Sequence, residues 1–115
     1  MKIGCIKELL DATLYCGEDM LDCEVYSACC SDMMSDVLAF VKDQGLLLTG
    51  LVNPQVVRTA EMMDMVCIVF VRSKVPSDEI IELAKKCGIA VLGCGYRAYE
   101  ACGLLYSSGL KPEGK

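Results

Sequence analysis

Apolar runs and helical patterns alternate three times between Leu46 and Tyr106. Leu46-Leu47-Leu48-Thr49 reads as a strand leading into a helix over Pro54 to Met63. Val66 to Val71 leads into a helix over Asp78 to Cys87, and Ala90-Val91-Leu92 into a helix over Arg97 to Tyr106. Runs this short and uniformly apolar suit strands covered on both faces, and strands joined only by helices lie parallel.

Ahead of the repeat, Ile3, Ile6, Leu9 and Leu10 recur at helical spacing and predict a docked amphipathic helix over Lys2 to Asp11. Thr13 to Cys16 reads as a short strand, Gly17-Glu18-Asp19 as a turn, and Val25 to Cys29 as a second strand. Ser31 is expected to cap a helix over Asp32 to Val41, with Met33, Val37, Phe40 and Val41 on one side and Asp32 at its positive end. Asn53-Pro54 and Pro76-Ser77-Asp78-Glu79 mark two further helix starts, and Cys87-Gly88 a helix end. The expected architecture is a three-layer α/β sandwich over residues 1–110, with a mostly parallel sheet of about four to five strands. The tail, 111–115, is apolar-poor and expected to be flexible unless it docks.

Length and composition narrow the function. The 115 residues suit one domain with one core, leaving no room for a second, catalytic one. Hydrophobic residues, tyrosine included, make up 54% of the chain before its ten glycines are counted. Ordinary domains reach roughly 45–50% with glycine included. The excess suggests a subunit interface, and a homodimer is the expected state. Asp64 splits the longest apolar run, Met62 to Val71, which falls short of the ~20 residues of a membrane span. With Lys7, Glu8 and Asp11 close behind Met1-Lys2, the beginning lacks the apolar segment of a secretory signal, so a cytoplasmic location is expected. A net charge of -5 would repel a polyanion, which argues against nucleic acid as a partner.

Nine cysteines form an odd set with no Cys-x-x-Cys pair, and the chain has no histidine. Cys67, inside an apolar strand, and Cys102, at helical spacing from Ala98, Leu105 and Tyr106, read as small hydrophobes. Cys16, Cys23, Cys29 and Cys30 cluster in sequence and keep a thiolate-ligated metal or redox role open as an alternative. Reduced thiols in a reducing cytosol are the expected state, and no cofactor is expected. Met33, Met34, Met62, Met63 and Met65 read as core fillers or as an adaptable patch for a partner.

Three segments carry a resemblance to a known family: Ser31 to Phe40, Leu46 to Gln55, and Glu82 to Leu92. Through them the chain from Met1 to about Leu110 resembles a stand-alone DRTGG domain, a relative of the N-terminal domain of HPr kinase/phosphorylase. The match is one of layout. Neither Asp-Arg-Thr nor Gly-Gly occurs, and the first signature position reads Gly50-Leu51-Val52-Asn53. The resemblance implies a compact α/β regulatory module without catalytic activity that tends to self-associate. Relatives occur beside pairs of CBS domains in regulatory proteins and inorganic pyrophosphatases, or free-standing near iron-hydrogenase and sensor-kinase genes. A regulatory or redox-enzyme protein partner is therefore expected.

Ligand sites in open α/β sheets lie at the carboxyl ends of the strands. Three loops there supply the candidate residues for a small anionic ligand such as a nucleotide. Thr49, Gly50 and Asn53 precede a helix N-terminus whose free N–H groups suit an anion, although an ordinary capped helix is the plainer reading. Lys74 offers a cation in the second loop, where a solvated lysine is the commoner case. Gly93-Cys94-Gly95-Tyr96-Arg97 offers two glycines for close backbone approach and a guanidinium fork. It lacks the third glycine and the later acidic residue of a dinucleotide fingerprint. Cys94 has no histidine to act as its base, and an incidental thiol in a flexible loop is the plainer reading. Asp32 and Asp36, one helical turn apart, could ligate a hard cation, but dipole complementation already explains Asp32.

Overall fold

The computed structural model describes residues 1–40 and 45–112. Helix α1 (Ile3–Leu9) is followed by strand β1 (Thr13–Cys16), a 3-10 turn (Glu18–Met20) and strand β2 (Ser27–Cys30). Then come α2 (Met34–Phe40), β3 (Gly45–Thr49), α3 (Pro54–Met62), β4 (Cys67–Phe70), α4 (Asp78–Cys87), β5 (Ala90–Gly93) and α5 (Ala98–Ser107).

The five strands form one sheet in the order β1-β5-β4-β3-β2. Strands β2 to β5 are mutually parallel, and β1 runs antiparallel along β5. Every residue of β3, β4 and β5 is buried, as strands covered on both faces require. Alternate residues face opposite layers. Leu46, Leu48, Val69 and Leu92 pack with Ile3 and Ile6 of α1, Leu10 at its C-terminal end, and Ala101 and Leu105 of α5. Leu47, Ile68, Phe70 and Val91 pack with Val37 of α2, Val56, Val57 and Ala60 of α3, and Ile80 and Ala84 of α4. The expected three-layer sandwich is thus the observed one.

Local chemistry explains most element ends. The Ser77 hydroxyl accepts the Ile80 N–H at 3.3 Å, Asp78 and Glu79 occupy the first turn of α4, and Lys85 and Lys86 its last. Gly88 closes that helix at φ 71°. At α1 the free N–H groups of Ile3 and Gly4 donate to the Cys23 and Leu21 carbonyls at 3.0 and 2.8 Å, which docks the helix on the segment after the 3-10 turn.

Two helix starts differ from expectation. Helix α2 begins at Met34, because the Ser31 hydroxyl accepts the Met33 N–H at 3.0 Å in a tight turn ahead of it. Asp32 therefore does not sit on the first turn, and Met33 is exposed while Val37 is buried. Phe40 is the last residue of α2, and Val41 lies outside the described residues. Asn53 holds the N-cap backbone position of α3 but makes no side-chain cap. Lys111, the first residue of the tail, is docked: its carbonyl accepts the Ala28 N–H at 3.2 Å, and its ammonium lies 3.7 Å from the centre of the Tyr106 ring. Residues 113–115 lie outside the described residues. No helix among the described residues is long and apolar enough to cross a membrane.

Candidate functional site

The carboxyl ends of β2, β3, β4 and β5 open onto one rim. The chain leaving β2 reaches it first, where the Ser31 N–H donates to the Leu48 carbonyl at 3.1 Å and delivers Asp32 to the end of β3. There one Asp32 carboxylate oxygen accepts both the Thr49 hydroxyl and the Gly50 N–H, each at 2.8 Å. The Thr49 oxygen in turn accepts the Leu51 N–H at 3.1 Å. These bonds fasten the turn after β3 to the end of β2.

The loop after β4 carries the unusual backbone. Arg72 and Ser73 are both left-handed, at φ 61° and 59°, a conformation that non-glycine residues rarely hold in succession. Three hydrogen bonds maintain it. The Arg72 N–H donates to the Tyr96 carbonyl at 2.8 Å, the Ser73 N–H to the Cys94 carbonyl at 2.9 Å and the Lys74 N–H to the Val71 carbonyl at 3.3 Å. The loops after β4 and β5 are thereby stitched together. The bend turns the Arg72 guanidinium back over Gly50, where a methyl group would collide with it.

Electrostatics tie the rim together. The Gly50 N–H and then the Thr49 hydroxyl hold the Asp32 carboxyl below its ordinary value, with Arg72 and Lys74 adding a smaller pull in the same direction. Among the described residues, neither cation has a carboxylate within 4.0 Å. Because the folded state lowers its pKa, Asp32 contributes stability above an unfolded value of about 3.9 and loses it as pH falls through the folded value. Asp32→Asn should therefore lower stability at neutral pH by about 1 kcal/mol, after discounting for solvent screening. It should also flatten the acid limb of urea unfolding below about pH 4. Midpoints that fall in parallel for the two proteins would show that Asp32 carries no such linkage.

The expected site residues divide. Gly50 and Lys74 belong to the rim. Thr49 is fully buried, and its hydroxyl is a strut between Asp32 and Leu51 instead of a ligand contact. The Asn53 side-chain oxygen is buried and accepts no hydrogen bond from the described residues. Gly93 lies beneath the Tyr15 ring, which a methyl group there would meet at 2.7 Å, so its smallness serves packing. Cys94 is buried at 3% exposure, and burial pushes its thiol up. Gly95 and Tyr96 are exposed beside Ser73, and Tyr96 contributes its carbonyl to Arg72. Arg97 holds the N-cap of α5, its backbone N–H donating to the Glu100 carboxylate at 3.2 Å. Asp32 and Asp36 do not share a helical face, since Asp32 precedes α2.

Asp32 in this bracing role, and Arg72, were not foreseen. Arg72 is the second residue after the buried strand β4, one past Val71, which holds the position of Gly50 and Cys94 in the neighbouring units, and no local pattern in the sequence marks it. Among the described residues no three Cys, Asp or Glu side chains gather in a metal-holding group. Cys16 is buried, Cys23 is exposed, and Cys29 and Cys30 lie on the edge strand β2.

No protein-family model matches the chain. No curated protein sequence matches it significantly either. Among solved structures it is similar to the CBS and DRTGG domains of the regulatory region of Clostridium perfringens pyrophosphatase, crystallised with the activator diadenosine tetraphosphate. The TM-score is 0.73 at 21% identity, over 90% of this chain and 45% of that one. The likeness establishes the fold, and this chain spans under half of its neighbour's length.

Proposed function

We propose that the chain is a non-catalytic regulatory module of the DRTGG kind that self-associates and binds a small anionic ligand at the rim. A nucleotide is the class of choice. The observation that carries the ligand reading is the pair Arg72 and Lys74. Both act on the braced Asp32–Gly50 turn, and neither is neutralised by a carboxylate among the described residues. Two cations at the carboxyl ends of parallel strands suit phosphate, with Arg72 offering a fork and Lys74 a point charge. The neighbour's diadenosine tetraphosphate supports choosing a nucleotide.

A regulatory role without chemistry accords with a chain that has no histidine, with Cys94 buried and with Asp32 occupied by two structural hydrogen bonds. The apolar excess and the exposed rings on α5, Tyr99 at 90% and Tyr106 at 55%, support self-association and contact with a regulatory or redox-enzyme partner in the cytoplasm. Native mass spectrometry of protein purified without oxygen tests both halves together. A dimer retaining nucleotide mass is expected. A bare monomer at every concentration, unchanged by added nucleotide, would overturn the reading.

A further inference from the structure

Outside the rim, the edge strand β2 and helix α5 enclose a cavity of about 170 Å³ whose lining includes Cys29, Cys30 and Cys102. Register decides which thiols face one another. Cys30 pairs with Leu48 and Ala28 with Leu46, both of which point into the α1/α5 layer, and Cys102 packs against that same layer. Cys29 pairs with Leu47 and packs on the opposite face. Cys30 and Cys102 therefore meet across the β2–α5 seam, and we propose that they form a dithiol which low-molecular-weight disulfides oxidise reversibly to a disulfide, stapling β2 to α5.

The chemistry balances without any other reactant. One cysteine loses its proton, and its thiolate attacks the small disulfide, which releases one small thiolate and leaves a mixed disulfide on the protein. The second cysteine, likewise deprotonated, attacks the protein sulfur of that bond and expels the other small thiolate. The two protons end on the two released thiols, the protein has lost two electrons, and the reagent has gained them. Burial first, and the neighbouring Cys102 thiol second, push the Cys30 thiol up to about 12. Thiolate is scarce at neutral pH in consequence, so oxidation should quicken about tenfold per pH unit through the neutral range. The edge strand also gains most from a staple: beyond β3, its described backbone pairing is the Ala28 bond to the Lys111 carbonyl.

The test is to incubate the folded, reduced chain with glutathione disulfide and map peptides by mass spectrometry. The expected product is a Cys30–Cys102 peptide pair two hydrogens lighter, with an unfolding midpoint that rises on oxidation and returns on reduction. The other exposed thiols, Cys5 and Cys23, have no cysteine facing them across the seam and should carry only glutathione adducts. In Cys102→Ser the adduct should remain trapped on Cys30 and the midpoint should not rise, while Cys29→Ser should still close the bridge. Separate adducts on Cys30 and Cys102, a Cys29–Cys30 bridge, or two unmodified thiols beside labelled Cys5 and Cys23 would each overturn the proposal.

Discussion

Phe70→Ala should lower the unfolding free energy by about 3–5 kcal/mol, the range for emptying the space of a buried aromatic ring. Phe70 is the largest fully buried side chain among the described residues and sits in the central strand β4 between the α3 and α4 contacts, where collapse around the gap is difficult. A domain of this size holds roughly 5–15 kcal/mol in total, so the variant should be close to unfolding at physiological temperature. Its urea midpoint should fall accordingly, with little change in slope. A drop under about 1 kcal/mol would mean that the layer repacks freely, contrary to the close packing of protein interiors.

Gly17→Ala should cost about 2–5 kcal/mol, for two independent reasons. Gly17 has φ 99°, which carries a penalty of about 1–2 kcal/mol for a residue with a side chain. The added methyl would also stand 2.6 Å from the Ala90 Cβ and 2.8 Å from its Cα, so the turn after β1 would have to move off the start of β5. Overpacking of that kind adds about 1–3 kcal/mol. Gly88→Ala is the informative control: φ is 71° there but nothing lies within 4 Å of the added methyl, so only the backbone term applies. Equal losses at the two positions, measured by urea unfolding, would show that the Ala90 contact is immaterial.

The strands were legible in the sequence because β3, β4 and β5 are buried on both sides and had to be continuous apolar runs. Helix α4 was readable to its ends, since Ser77, Asp78 and Gly88 act locally and do in the structure what their residue types predict. Asp32 shows where local reading fails. Its type and position suited a helix N-terminus, but parallel pairing of β2 with β3 brings it to Thr49 and Gly50, and two hydrogen bonds there outweigh a dipole contact. Gly93 likewise looked like a ligand-facing glycine, yet its space is taken by Tyr15 of the antiparallel strand β1, a neighbour about eighty residues away that no local pattern discloses. Arg72 depended on a left-handed bend that its residue type does not advertise, and Cys102 met Cys30 only through the docking of α5 on the edge of the sheet.

Thermal unfolding with and without nucleotides, at constant ionic strength, is the most direct test of the anion-binding rim. Native chain and Arg72→Ala should be compared against nucleoside mono-, di- and triphosphates and a dinucleoside polyphosphate. A ligand that binds only the folded state at one hundred times its Kd adds about 2.7 kcal/mol, a rise of many degrees for a domain this small. The account predicts that rise for the native chain and its loss in Arg72→Ala, whose unliganded midpoint should stay near the native value because the guanidinium is exposed. No shift with any of the nucleotides, or equal shifts in the two proteins, would contradict it.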